Sequence, residues 1–201
     1  MEGTAPKTHR IAVLTGGRGR GSNLRAIHRH FESLGFPATV ALVIGDREQT
    51  PVRELCQELK LPFVYVPSKD MQSYEAEVIR LVKEHGIELI ALAGFLKLLS
   101  ADFLLRIQVP VLNIHPSLLP KYGGAKMYGM RVHEAVFASG DKESGATVHE
   151  VSPVYDAGRI VLQRKVDISN CSNSEEIAGK VLKIEHQIYA EAILKYLKAK
   201  Q

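Results

Sequence analysis

Several protein classes are excluded by what this chain has little of. It has only two cysteines, Cys56 and Cys171, far apart and without metal-ligand spacing, so neither a disulfide framework nor a zinc site is indicated and a reducing, cytoplasmic setting is expected. No apolar run approaches the roughly 20 residues of a membrane span. The opening MEGTAPKTHR lacks the apolar core of a secretory signal and reads, over residues 1–9, as a flexible lead-in. Charge of one sign is scarce as well. The net charge is +4, and Lys and Arg are interleaved with acids in segments such as DREQTPVRELCQELK, a pattern of solvated helix faces. Nucleic acid and membrane are therefore not expected partners, whereas small anionic substrates suit the slight positive excess. There are no repeats and no low-complexity tract. With 201 residues and 45% hydrophobic content, one well-filled core and a single domain over 1–201 are expected.

What the chain does have is alternation. RIAVLT, TVALVIG, FVYVP, ELIALAG and VLNIHP are short aliphatic runs, and amphipathic stretches such as SNLRAIHRHFESLG, PVRELCQELK and SYEAEVIRLVKEHG separate them. Strands alternating with helices predict an α/β fold: a mainly parallel twisted sheet with helices on both faces. After residue 120 the pattern changes to a Gly-rich loop, a short helix around VHEAVFASG, and two β-rich runs, GATVHEVS and RIVLQRKVDI, expected to form an antiparallel C-terminal pair across PVYDAG. A long amphipathic helix with Ser174 as its cap closes the chain.

Two segments carry chemistry. In VLNIHPSLLP, Asn113 and His115 are two apart on a strand and so share a face, and Pro116 ends the strand. They lie at a strand's carboxyl end, where open α/β sheets bind ligands; a satisfied buried polar pair is the bland alternative. In TGGRGRGSN a Gly-rich turn runs into a helix N-terminus, which suits a phosphate, and the guanidinium forks of Arg18 and Arg20 strengthen that reading. The glycines at 16, 17, 19 and 21 match neither the P-loop nor the dinucleotide fingerprint. His28 and His30 read as surface residues, while His133, His149 and His186 stay open between a role near the site and plain hydrogen bonding. No His, Cys or carboxylate cluster has metal-ligand spacing.

Taken in order, GSNL at 21–24, LAGFLKLLS at 92–100, LNIHPSLLPKY at 112–122, GATVHEVSPVYDAGRIVLQ at 145–163 and EHQIY at 185–189 resemble the folate-dependent glycinamide ribonucleotide formyltransferase family over essentially the whole chain. The resemblance implies a formyltransferase, Rossmann-like fold. It implies transfer of the formyl group of 10-formyltetrahydrofolate, a cosubstrate, to the amine of glycinamide ribonucleotide in purine synthesis, without a metal. It further implies Asn113, His115 and Asp156 as the catalytic trio, Gly21, Ser22 and Asn23 as holders of the substrate phosphate, and Glu185 at the substrate's amino and ribose end. The folate pocket would draw on Leu96, Lys97, Leu98 and Leu99 with Val151 and Val154. Acyl transfer explains the polar pair: donors must face the oxygen that becomes negative, and acid/base groups must move a proton from the amine to the folate nitrogen. Asp156 would orient His115 or raise its pKa.

The chain departs from the family pattern in three places. TGGRGRGSN is three residues longer than the usual phosphate loop, Met71 stands about where the family often has a phosphate-binding arginine, and KYGGAKMYGMRVHEA is a longer Gly-rich connection. Arg18 or Arg20 would replace the missing arginine, and the loop over 123–131 would act as a lid. The alternatives are a formyltetrahydrofolate deformylase and a non-catalytic nucleotide- or folate-binding protein. A homodimer is compatible with the sequence, which leaves the oligomeric state open.

Overall fold

The computed structural model describes residues 8–16, 19–33 and 37–199. The chain falls into two compact units, Met1–Phe95 with Leu105–Pro110, and Leu96–Leu104 with Val111–Gln201.

The first unit contains β1 (His9–Thr15), α1 (Ser22–Ser33), β2 (Ala38–Gly45), α2 (Pro51–Glu58), β3 (Phe63–Tyr65), α3 (Met71–Glu84) and β4 (Leu89–Leu92). Its strands lie in the order β3-β2-β1-β4, and every pairing is parallel. Near-continuous aliphatic runs make this arrangement stable, because a parallel strand is covered on both faces. Ile11 to Leu14, Leu42 to Ile44, and Leu89 to Ala91 are all inaccessible to solvent. Leu24, Ile27 and Phe31 form the buried stripe of α1 at i, i+3 and i+7. Thr50 caps α2 with Pro51 in its first turn, and the Asp70 carboxylate accepts from the Gln72 and Ser73 amides at the start of α3. The expected lead-in over 1–9 is shortened at its end: His9 is already strand, its amide donating to the Pro37 carbonyl at 2.6 Å, and residues 1–7 lie outside the described residues.

The second unit contains α4 (Ala101–Arg106, its last two residues in the first unit), β5 (Val111–His115), α5 (Met130–Ser139), β6 (Glu143–Glu150), β7 (Ile160–Asp167) and α6 (Ser174–Lys198). Here β5, β6 and β7 pair antiparallel, with Asn113 opposite His149 and His115 opposite Thr147. The expected antiparallel pair is therefore β6 and β7. The 25-residue α6 packs along them, and the buried Tyr189 hydroxyl donates to the Leu112 carbonyl of β5 at 3.0 Å. Its cap is Asn173, whose side chain accepts from the Glu176 amide, and not Ser174, which is the first helical residue. α5 begins two residues before VHEAVFASG, after Gly129 at φ +56°.

Candidate active site

Asn113 and His115 occupy the carboxyl end of β5, and the chain beyond them is fastened rather than loose. Thr147 on β6 donates from its hydroxyl to the Ser117 carbonyl at 2.6 Å and accepts from the Leu119 amide at 3.2 Å. Gln163 on β7 donates to both Thr147 Oγ1 and the Leu119 carbonyl, and the Ser117 hydroxyl donates to the Lys121 carbonyl at 2.6 Å. Ser117 and Thr147 are wholly buried, so this satisfied network holds the turn after β5 in one conformation.

Asp156 comes from the turn between β6 and β7. Its backbone is left-handed, φ 54°, a region that Asp tolerates better than most residues. The Gly124 amide donates to its Oδ2 at 2.8 Å. Asp156 Oδ2 lies 3.4 Å from His115 Nδ1, and Oδ1 lies 3.5 Å from His149 Nε2, with both rings and the carboxylate almost entirely withdrawn from water. Gly158 makes the tight return possible: a side chain there would strike the Glu150 carbonyl.

Hydrogen-bond roles follow from the backbone partners, because a carbonyl can only accept. His115 Nε2 is 2.8 Å from the Tyr122 carbonyl, so Nε2 carries the proton and Nδ1 presents its lone pair toward Asp156. His149 Nδ1 is 2.8 Å from the Glu150 carbonyl, which likewise puts the proton on Nδ1; its Nε2 then accepts from Asn113 Nδ2 at 3.2 Å. One of the two Asn113 amide hydrogens is thus committed to His149. The two imidazoles flank one carboxylate, and a proton added to His115 Nδ1 would be shared with it.

The electrostatics agree with that picture. Burial pushes the His115 pKa below its usual value, and this outweighs the opposing pull of Asp156 and the Tyr122 carbonyl. Asp156 does pull it upward, as expected, but burial sets the net direction. For Asp156 itself burial acts upward, but His149, His115 and the Gly124 amide together hold the carboxyl below its usual range. His133 on α5, buried and depressed by burial and by His115, adds a third imidazole to the electrostatic surroundings.

The structure thus brings Asn113, His115 and Asp156 together and adds His149, which sequence reasoning left open. The signal for His149 was its place in a strand opposite Asn113, legible only once the register of β5 and β6 is known. Glu185 is buried on α6, one turn before Tyr189 and so on the face that meets β5. Of the residues expected at the folate pocket, Leu96, Leu98 and Val154 are exposed apolar side chains, Lys97 is exposed and Val151 half-buried. Leu99 differs: at 1% exposure its side chain belongs to the core and has no surface to offer a ligand.

In the first unit, Ser22 and Asn23 open α1, where backbone N–H groups have no intrahelical acceptor and the helix dipole favours an anion. Gly21 precedes them at φ +73°, its carbonyl accepting from the Arg25 amide at 2.9 Å. A side chain at 21 would run into Leu55 of α2. Arg20 is exposed, and Arg18 lies outside the described residues. Among the described residues no group of three or more His, Cys, Asp or Glu could hold a metal ion, and no helix is long and apolar enough to cross a membrane.

Comparison with known proteins gives a consistent result. The profile of the family described as formyl transferase matches residues 9–193. The chain is 32% identical over 182 residues to the phosphoribosylglycinamide formyltransferase of Bacillus subtilis, covering 89% of this chain and 91% of that protein. It is also 32% identical over 192 residues to the chloroplastic phosphoribosylglycinamide formyltransferase of Arabidopsis thaliana, covering 94% of this chain and 65% of that protein. It thus spans just under two thirds of the plant relative. The crystal structure of glycinamide ribonucleotide transformylase 1 from Symbiobacterium toebii superposes with a TM-score of 0.83 at 30% identity, over 94% of this chain and 87% of that one. With a fold shared with that transformylase and a matched region that takes in Asn113, His115 and Asp156, the chain belongs to the formyl transferase family, alongside the phosphoribosylglycinamide formyltransferases.

Proposed function

We propose that this chain transfers the formyl group of 10-formyltetrahydrofolate to the amine of glycinamide ribonucleotide, in the cytoplasm, with no metal. The observation that carries the reading is the buried cluster at the end of β5, in which one carboxylate is flanked by two tautomer-fixed imidazoles beside an amide donor. The amine nitrogen attacks the formyl carbon, and the carbonyl oxygen becomes an oxyanion. Asn113, with an amide hydrogen to spare, donates to that oxygen. The amine's proton passes to His115 Nδ1, where Asp156 stabilises the imidazolium, and from there to the folate nitrogen as the old C–N bond breaks. His115 acts here through its proton and its charge, since its Nε2 hydrogen is already given to Tyr122.

The remaining residues divide the substrates between them in the same reading. Gly21, Ser22 and Asn23 hold the phosphate with Arg18 or Arg20. Glu185 meets the amino and ribose end. Leu96, Lys97, Leu98, Val151 and Val154 contact the folate, with Leu99 supporting that segment from the core. Purified protein is incubated with formyl-folate, with and without glycinamide ribonucleotide. Folate release that requires the nucleotide supports transfer; release without it means hydrolysis, and no release in either tube means binding alone.

A further inference from the structure

We infer that Tyr122 is a positioning residue for His115: its backbone carbonyl selects the ring tautomer, and its hydroxyl, tied to Ser139 and Asp141, holds that carbonyl in place. The inference rests on the proposed role of His115 as proton carrier and assigns to Tyr122 a task that this role requires.

The carbonyl is the acceptor for His115 Nε2 at 2.8 Å, so it leaves the lone pair that can take up a proton on Nδ1, the nitrogen facing Asp156. Without it the carboxylate 3.4 Å from Nδ1 would draw the ring's proton to that nitrogen, leaving no lone pair there to take up the amine's. The carbonyl is aimed by an uncommon backbone: Tyr122 has φ 56°, left-handed for a residue with a bulky side chain. Such a conformation persists where the surroundings over-determine it. Packing alone does not do so here, since the ring is only half-buried and borders a cavity of about 450 Å³ lined by Leu118, Lys121, Asp141, Lys142, Glu143 and Ser144. The polar tip does it instead. The Tyr122 hydroxyl lies 2.7 Å from Ser139 Oγ and 2.9 Å from Asp141 Oδ2. Asp141 can only accept, so the one hydroxyl hydrogen goes there, while the Ser139 hydrogen is shared between the Tyr122 oxygen and the Val136 carbonyl at the end of α5; Asp141 is held in turn by Lys121 Nζ at 3.0 Å. The hydroxyl therefore ties the turn after β5 to the segment that joins α5 to β6, with the ring as the strut between that anchor and the carbonyl.

Tyr122→Phe removes the hydroxyl and keeps the ring. Nitrogen-15 spectra of the imidazoles in the free protein, taken across a pH titration, should show His115 as the Nε2–H tautomer in the wild type and as a mixture of tautomers in the variant. The titration must be read with Asp156, His149 on β6 and His133 on α5 in view, because all three act on the His115 ring. In the formyl-transfer assay kcat should fall about tenfold, as expected for a misplaced catalytic group, with the KM of both substrates within about twofold of wild type. Asp141→Asn, which keeps an acceptor for the hydroxyl, should stay near wild type, whereas Asp141→Ala should resemble Tyr122→Phe. Combining Asp141→Ala with Tyr122→Phe should add nothing, since both cut one link. A Tyr122→Phe protein with an unchanged His115 tautomer overturns the inference, as does a double variant whose losses add. The spectra need no substrate, so they judge Tyr122 even if the chain proves to transfer no formyl group.

Discussion

In the proposed mechanism, replacing His115 with alanine or Asp156 with asparagine removes, respectively, the proton carrier and the charge that stabilises it. Each should cut formyl transfer about a hundredfold or more, the usual scale for loss of a general acid/base or an electrostatic partner in the transition state. Circular dichroism should show both proteins folded, and near-normal turnover in either would remove it from the trio. The arginines of TGGRGRGSN are proposed to act on binding instead. Losing the one that meets the phosphate should raise the nucleotide KM roughly ten- to a hundredfold through a charge-assisted hydrogen bond, with kcat at saturation nearly unchanged. Arg18→Ala, Arg20→Ala and the double variant decide between them; an unaltered KM in the double variant leaves the phosphate to backbone donors with Ser22 or Asn23. At this scale the sequence was informative where side chains alternate along one strand, as Asn113 and His115 do. It left His149 open and was mute on Tyr122, because their placement depends on strand register and on a backbone φ that no side-chain pattern reports.

Among the elements, the strands of the parallel unit were legible because their aliphatic runs have few other stable uses, and helix ends were less so. Both Asn173 and Ser174 are good capping residues by type, and the backbone chooses: Asn173 is extended at φ −158° and ψ 172°, so its side chain reaches the Glu176 amide at 2.9 Å. Asn173→Ala should cost about 1 kcal/mol, read as a lower urea midpoint, while Ser174→Ala should be nearly neutral. Equal losses would mean that the two share the cap. The connection over 123–131 also divides on closer view, since Met130 and Arg131 already belong to α5. Its first part meets Asp156 through the Gly124 amide, which gives the lid reading a physical link to the trio. Hydrogen exchange of residues 123–129 should slow when formyl-folate and nucleotide analogues bind together. Unchanged exchange would make the segment an inert insertion.

For the molecule as a whole, buried ionisable groups predict a stability plateau. His115, His133 and His186 are each depressed below 6.5, chiefly by burial. The folded chain keeps them neutral while the unfolded chain takes up protons, so the stability present above pH 6.5 is lost as the pH falls through their folded values. On the alkaline side burial pushes the Cys56 thiol up from 9.0 to about 11 and raises Tyr74 above 10.0. The unfolded thiol ionises first, and stability falls as the pH climbs beyond about 9. Urea midpoints should therefore be flat between roughly pH 6.5 and 9 and decline on both sides, and a midpoint that rises from pH 7 to 5.5 would contradict this. The order in which the chain visits its two units has a consequence for recombination. It leaves the first after Phe95, returns at Leu105 and departs again after Pro110. A chimera that exchanges a whole unit with a relative must therefore be spliced at three junctions, 95/96, 104/105 and 110/111. A single crossover, wherever it falls, cannot exchange one unit entire and leave the other intact.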